Sequence, residues 1–225
     1  FATEYVKEYF HFYADLAEKM ENEFPIPKID KPDMDVVEVR EPIGVVACII
    51  PWNQQMFLMT TKLAPALAAG NTIVIKSSEL APAPLIEFAR LLDSVGLPKD
   101  IFRILIIDID IVPDIISNKM IKAVSLTGSE VAGSKVAECS GKNLKKTVLE
   151  LGSTDAFIVL DDADLPKCVD SAIKGRMLNN GQSCIAAKRF ILHDDIYNDF
   201  LEMLKNSVSS LKLGDPMLNS TQVGP

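Results

Sequence analysis

The sequence predicts an α/β chain: a doubly wound, mostly parallel sheet followed by the first part of a second α/β domain. Three observations lead there. Short runs rich in Val and Ile alternate with amphipathic stretches, the pattern of strands covered on both faces by helices. The connections between them are short, as such units require. The pattern stops at Gly152 and restarts, which divides the chain into a first domain over 1–151 and a second over 152–225.

Each element has a local reason. Residues 1–23 read as an amphipathic helix, with Tyr5, Tyr9, Phe12, Leu16 and Met20 at three- or four-residue steps. Pro25, Pro27 and Pro32 break it. Residues 35–41 alternate like a half-exposed strand. The apolar run Val45 to Ile50 is a buried strand stopped by Pro51. Helices follow over 58–69, closed by Gly70-Asn71, and over 84–95, closed by Gly96; strands lie at 72–76 and 102–107. A short helix at 112–117, a strand at 122–126, a helix at 130–139 and a strand at 146–151 complete the first domain. After Gly152 come a strand at 156–160, a helix at 165–177, a polar loop, a strand at 189–193 and a helix at 196–211. Residues 214–225 read as a loop that leaves the second domain cut short. The start at Phe1, without Met, leads us to expect that residues precede it.

Composition narrows the classes of function. The 225 residues are 48% hydrophobic, enough for a sizeable core. A net charge of -8 and a pI near 4.9 argue against a nucleic-acid surface and an anionic-membrane surface. No run reaches the ~18 apolar residues that span a bilayer. No export signal opens the chain, so the reducing cytoplasm is the expected compartment. The four cysteines show no C-x-x-C spacing, and His11 and His193 are the only histidines, so no metal site is expected. Disulfides are not expected either. Cys48, Cys139 and Cys168 fall in apolar or helical patterns and read as small buried residues.

Cys184 differs. It closes the polar run Asn179-Asn180-Gly181-Gln182-Ser183-Cys184 between two apolar segments. Glu150 ends the strand-like run 147–151. A thiol nucleophile and a carboxylate able to activate water are the minimum for thioester chemistry. A structural cysteine, and a glutamate paired with Lys145 or Lys146, are the plainer alternatives. The strand-to-helix junction from Thr127-Gly128-Ser129 to Gly133 is a candidate phosphate site, because a helix N-terminus presents free N–H groups. It matches neither G-x-G-x-x-G nor a P-loop, and a simple helix cap competes. Lys76 closes a strand at the end where ligands bind in open α/β sheets, with Glu79 three residues on; a solvated ion pair competes. Asn53, after Pro51-Trp52, brings an amide donor, or caps a helix.

Asn53, Lys76, Glu79, Gly128, Gly133, Glu150-Leu151-Gly152 and Gly181-Gln182-Ser183-Cys184, in that order, resemble the aldehyde dehydrogenase superfamily over residues 40–225. The resemblance implies that Cys184 is the nucleophile and Glu150 the general base. It implies that Asn53 and the Cys184 N–H form an oxyanion hole, a device worth ~10²–10³ in rate per donor. It implies a nicotinamide cofactor held by Ile49, Pro51, Trp52, Lys76, Glu79, Gly128, Ser129, Gly133, Leu151 and Gly152. Lys76 and Glu79 would hold the adenosine ribose. A carboxylate there repels a 2′-phosphate, so NAD is expected over NADP. Leu126–Ser129, Lys145–Gly152 and Ala186–Phe190 look most like the succinate-semialdehyde branch. The chain departs from the family at Ser153 (usually glycine), at Gln54-Gln55 (usually an aromatic and proline) and at Thr61, beside Lys62, where that branch often has arginine.

The expected function is oxidation of a small aliphatic aldehyde to its acid through a cysteine thioester. Acyl transfer to coenzyme A and a non-catalytic nucleotide-binding fragment are the alternatives. The family also implies a homo-oligomer, dimer or tetramer, with the strand at 35–41 as a bridging segment. Family chains are longer, so this piece alone is expected to be inactive or very weak.

Overall fold

The structure is a computed structural model and describes residues 2–21, 23–25, 34 and 36–224. It opens with helix α1 (Ala2–Lys19), strands β1 (Glu23–Pro25) and β2 (Val37–Val39), strand β3 (Val45–Ile49) and helix α2 (Gln55–Ala68). Strand β4 (Thr72–Lys76), helix α3 (Ala83–Ser94), strand β5 (Phe102–Leu105), helix α4 (Val112–Ser117), strand β6 (Ile121–Thr127), helix α5 (Glu130–Lys142) and strand β7 (Lys146–Glu150) follow. Then come β8 (Ala156–Val159), α6 (Leu165–Met177), β9 (Arg189–Leu192) and α7 (Tyr197–Ser209). The chain forms two compact units, Phe1–Leu151 and Gly152–Pro225.

In the first unit, five parallel strands run in the order β5-β4-β3-β6-β7. The central strand shows why its sequence is apolar throughout. Val46, Cys48 and Ile50 enter a core shared with Met59 and Leu63 of α2 and Leu85 and Phe88 of α3. Val45, Ala47 and Ile49 enter the opposite core, with Ile116 of α4 and Val136 of α5. Side chains alternate at period two, so a strand buried on both faces needs an apolar residue at every position.

Helix α1 joins the first core through Val6 and Phe10, with Phe10 stacked on Phe88 at 5.9 Å. Tyr5 and Tyr9 pack edge-on against Phe57. The buried line is therefore offset from the expected stripe: Phe12, Leu16 and Met20 are exposed. The expected strand at 35–41 is shorter, Val37–Val39, and pairs antiparallel with Glu23–Pro25, where the prolines had suggested only a break. Pro25 sits at the end of a short two-stranded ribbon, where its missing N–H breaks no interior ladder. Asp35, Pro27 and Pro32 lie outside the described residues.

Helix ends follow backbone rules. After α2, Gly70 N–H bonds Leu67 O and Asn71 N–H bonds Ala66 O, both at 2.9 Å. This is a Schellman closure. Gly70 has φ +75°, and a Cβ there would lie 2.8 Å from Pro42 Cγ. The same closure ends α5, with Leu144 N–H on Gly141 O and Lys145 N–H on Ser140 O. Here the left-handed position is held by Leu144, at φ 52° and 96% exposed. An L-residue with a Cβ is strained there, and the exposed leucine side chain gains little from burial. Leu144→Gly is expected to stabilise the chain by up to about 1 kcal/mol, read as a higher urea midpoint with an unchanged slope.

The second unit pairs β8 and β9 in parallel, with Phe157, Val159, Phe190 and Leu192 facing a core completed by Val169, Ala172 and Phe200.

Candidate active site

In the first unit, β3, β4 and β5 run to one side of the sheet and β6 and β7 to the other. The order reverses between β3 and β6, and ligands of open α/β sheets bind outside the carboxyl ends of the strands at such a point. Pro51, Trp52 and Asn53 leave β3 there. Lys76 ends β4 level with Ile49, and Thr127 ends β6 level with Glu150 of β7. The Gly128 N–H bonds the Glu150 carbonyl at 2.9 Å, which ties the two strand ends together. One edge of the sheet thus presents Ile49, Pro51, Trp52, Asn53, Lys76, Gly128, Ser129 and Glu150.

Lys76 is nearly buried and donates to Glu79 Oε2 at 3.1 Å. The Glu79 carboxyl is held below its ordinary range by a hydrogen bond with its own backbone and by Lys76. Ser129 caps α5, its Oγ accepting from the Ala132 N–H at 3.2 Å. That leaves its hydroxyl proton available to an anion at the helix start. The two glycines of this junction differ. A Cβ on Gly128 would meet Leu126 Cδ1 at an ordinary 3.5 Å, whereas one on Gly133 would meet Leu151 Cδ2 at 2.5 Å. Gly133 lets α5 pack on Leu151; Gly128 is not required by packing. The residue at the N-cap of α2 is Gln54, not Asn53.

In the second unit, α6 ends in a tight reversal. Asn180 (φ 58°, ψ 28°) and Gly181 (φ 77°) are the central residues of a type I′ turn. The Gln182 N–H closes it on Asn179 O at 3.0 Å. The positive φ of Gly181 is the reason for glycine; a Cβ there would also approach the Arg176 carbonyl at 3.2 Å. Ser183 is buried, and Cys184 behind it is exposed. Lys188 Nζ bonds the Cys184 carbonyl at 2.5 Å. The expectation for the other cysteines is met fully only at Cys48, which is 1% exposed with its thiol pushed up to about 12 by burial. Cys139 and Cys168 are only half-buried, because each sits on the rim of its helix. Gly152 begins this unit with no atom within 4 Å of where its Cβ would lie.

The aldehyde dehydrogenase family pattern matches residues 2–225. The chain belongs to the aldehyde dehydrogenase family. It is 41% identical over 225 residues to a (Z)-2-((N-methylformamido)methylene)-5-hydroxybutyrolactone dehydrogenase of Acinetobacter baylyi, covering 98% of this chain and 45% of that one. It is 40% identical over 216 residues to a succinate-semialdehyde dehydrogenase [NADP(+)] of Mycobacterium leprae, covering 96% and 47%. The crystal structure of a succinate-semialdehyde dehydrogenase from Burkholderia pseudomallei superposes with a TM-score of 0.94 at 35% identity, over 100% of this chain and 46% of that one. The chain therefore spans about half the length of the relatives it matches.

Two residues of this aldehyde dehydrogenase chain that the sequence names only at departures from the family are buried in α2. Lys62 lies on α2 and is buried, its ammonium donating to Ser125 Oγ at 2.9 Å. Burial pushes it below the ordinary lysine range, opposed by the fields of Cys48 and Glu150. The Cys48 thiol is neutral near pH 7, so Glu150 is the anion that this cation feels. A lysine between Thr61 and Leu63 in an otherwise apolar helix was the available signal. Gln55, in the first turn of α2, is 4% exposed, and neither side-chain amide atom finds a partner among the described residues. A buried unsatisfied amide costs about 1–3 kcal/mol.

Gln55→Met, which keeps the volume and removes the orphaned atoms, is expected to stabilise the chain by about 1–2 kcal/mol in urea unfolding. Gly133→Ala is expected to lower stability by about 1 kcal/mol as Leu151 is displaced, whereas Gly128→Ala should leave it unchanged. A reversed order of these two glycine variants would contradict the packing assignment.

Proposed function

We propose that this chain carries the nucleophile, the base and most of the dinucleotide cradle of an NAD(P)-dependent aldehyde oxidation. The carrying observation is that Cys184 alone of the four cysteines is exposed, two residues beyond the Asn-Gly turn that Gln182 closes. The Cys184 thiolate adds to the aldehyde carbon. The Asn53 amide and the Cys184 N–H hold the oxyanion. A nicotinamide dinucleotide held in this cradle would supply the hydride acceptor, and Cys184 would then carry the acyl group as a thioester. Glu150 removes a proton from water, which adds to the thioester; the acid departs and the sulfur is regenerated. General base help of this kind contributes ~10²–10⁴ in rate. A carboxylate that activates water favours hydrolysis over transfer to coenzyme A.

The cradle fits such a cofactor. The Lys76–Glu79 pair offers a donor and an acceptor to ribose hydroxyls, and the start of α5, with Gly128 and Ser129, offers N–H and O–H groups to the pyrophosphate. Leu151 and Gly152 follow Glu150 in the chain and are counted with the cradle. The expected preference for NAD is not kept. Relatives named for NADP(+) speak against it, and Lys76 already offsets the Glu79 charge that was to repel a 2′-phosphate. The relatives' names support a small aldehyde, succinate semialdehyde foremost. We also propose that the full protein is a homo-oligomer joined through the β1–β2 ribbon, where Val37 and Val39 are exposed. Among the described residues no group of side chains could hold a metal ion, and no helix is long and apolar enough to cross a membrane.

Trp52 is the single tryptophan of the chain, and it is 43% exposed at the end of β3. Its fluorescence is expected to be quenched on titration with NADP or NAD. Lys76→Ala and Gly128→Ala should each weaken that titration about tenfold, Gly128→Ala without loss of stability. In the full-length protein, Cys184→Ser should abolish the single-turnover burst of reduced cofactor. Glu150→Gln should keep the burst and slow steady turnover ~10²–10⁴-fold. Full turnover by Cys184→Ser would refute the mechanism.

A further inference from the structure

Cys184 stands at the second position of a tight turn of its own. The Ala186 N–H closes that turn on Ser183 O at 3.2 Å, so the peptide between Cys184 and Ile185 is its central one. That peptide has a fixed orientation. Reversing it would put Ile185 in left-handed backbone, which a β-branched residue avoids, and Ile185 is not among the residues of positive φ. Ala186 and Ala187 are buried, and the Ala187 N–H bonds Gly175 O at 3.2 Å. The chain then enters β9, where the Lys188 and Arg189 N–H groups both reach Asp155 O at 3.1 Å. Lys188 is thereby anchored at its backbone. Its side chain runs back to the turn and sets Nζ on Cys184 O at 2.5 Å. Other long cations of the surface behave differently: Arg90, Arg103, Lys142 and Lys174 each meet a carboxylate three or four residues away. Lys188 meets none among the described residues, and the carboxylate of Asp155 is taken by the Ser153 hydroxyl.

We propose that Lys188 is a positioning residue for the nucleophile: clamped onto the stiff turn, its ammonium stands beside the Cys184 sulfur and favours negative charge there. The inference rests on the reading of Cys184 as the attacking group. Covalent geometry keeps the sulfur within about 5 Å of its own carbonyl oxygen, so the ammonium lies within about 7–8 Å of the sulfur. A cation at that separation in a solvated loop changes an ionic equilibrium about two- to fivefold. A better stabilised thiolate is also a somewhat weaker nucleophile. The net gain in attacking rate is therefore about two- to threefold. Arg176, whose Nη1 bonds Gly181 O at 3.3 Å, is a second cation on the loop and remains in place when Lys188 is replaced.

The test is the rate at which iodoacetamide labels Cys184 in the full-length protein at neutral pH and low salt, read by mass on the peptide that carries it. Lys188→Gln removes the charge and keeps an N–H donor for the carbonyl. It should be labelled about two- to threefold more slowly. Lys188→Arg, which restores the charge, should recover most of the rate. At about 1 M salt, where the screening length falls to about 3 Å, the wild type and Lys188→Gln should converge. Equal rates at low salt would overturn the proposal. So would slow labelling of Lys188→Arg, or a difference that survives high salt, because either would mean that the sulfur feels the tether and not the charge. Faster labelling of Lys188→Gln, as from an opened loop, would overturn it too. Labelling reads the sulfur and not the reaction. Full turnover by Cys184→Ser would therefore sink the oxidation mechanism and leave the labelling difference intact, whereas equal labelling would sink the role of Lys188 and leave the mechanism intact.

Discussion

Parallel pairing of β3 between β4 and β6 is the constraint from which the first unit takes its form. Every side chain of that strand enters one of two cores, so a shift by a single residue would exchange the two sets. Cys48 and Ile50 would then face α4 and α5, and Ala47 and Ile49 would face α2 and α3. Because β4 and β6 lie on opposite sides of β3 and keep its direction, their ends arrive at the same level. Lys76, Thr127 and Asn53 owe their common edge to this pairing, and Glu150 joins them through the bond from Gly128 to its carbonyl. The placement of the functional groups is thus a property of the sheet more than of the loops.

Electrostatics separates the two sulfur atoms that matter. Cys48 is buried on the α2 face with a thiol that ionises only in strong base, so it is a packing residue despite a lysine nearby. Cys184 stands on a turn built from residues that tolerate left-handed backbone. The burial of Lys62 beside Ser125 is unfavourable for an ammonium with one neutral acceptor. Burial lowers its proton affinity and the anionic side chain of Glu150 raises it.

Much of this was legible in the sequence. The strand at 72–76 and the helices at 112–117 and 165–177 have the bounds read from periodicity, and each begins at a clear signal: Gly70-Asn71 before the strand, Pro113 in the first turn of α4, and Asp164 capping α6. The start of α2 was placed late, at residue 58, because Gln54 and Gln55 give no capping signal; the helix begins at Gln55 through backbone bonds alone. The face of α1 was misjudged by one position, since aromatic residues recur on both sides of it and only contact with Phe57 and Phe88 selects Val6 and Phe10. Ribbon β1–β2 was half legible: β2 alternates, but its partner contains proline. The left-handed Leu144 carries no sequence mark. At the candidate site, the motif order identified the residues, whereas only coordinates separate Gly128, which packing does not need, from Gly133, which it does. Lys62 and Gln55 stood out only as family departures; their burial was not legible, because burial of a polar side chain in an amphipathic helix cannot be read from its neighbours in sequence.

The closure at Gly70 couples two distant stretches of chain. Its backbone angle excludes most residues, and the Pro42 ring fills the space where any Cβ would go. A larger residue at position 70 is admissible only after position 42 has become smaller, so the order of substitutions matters as well as their identity. These two sites should drift together over evolutionary time, leaving a covariation signal that has nothing to do with chemistry at the far end of the sheet.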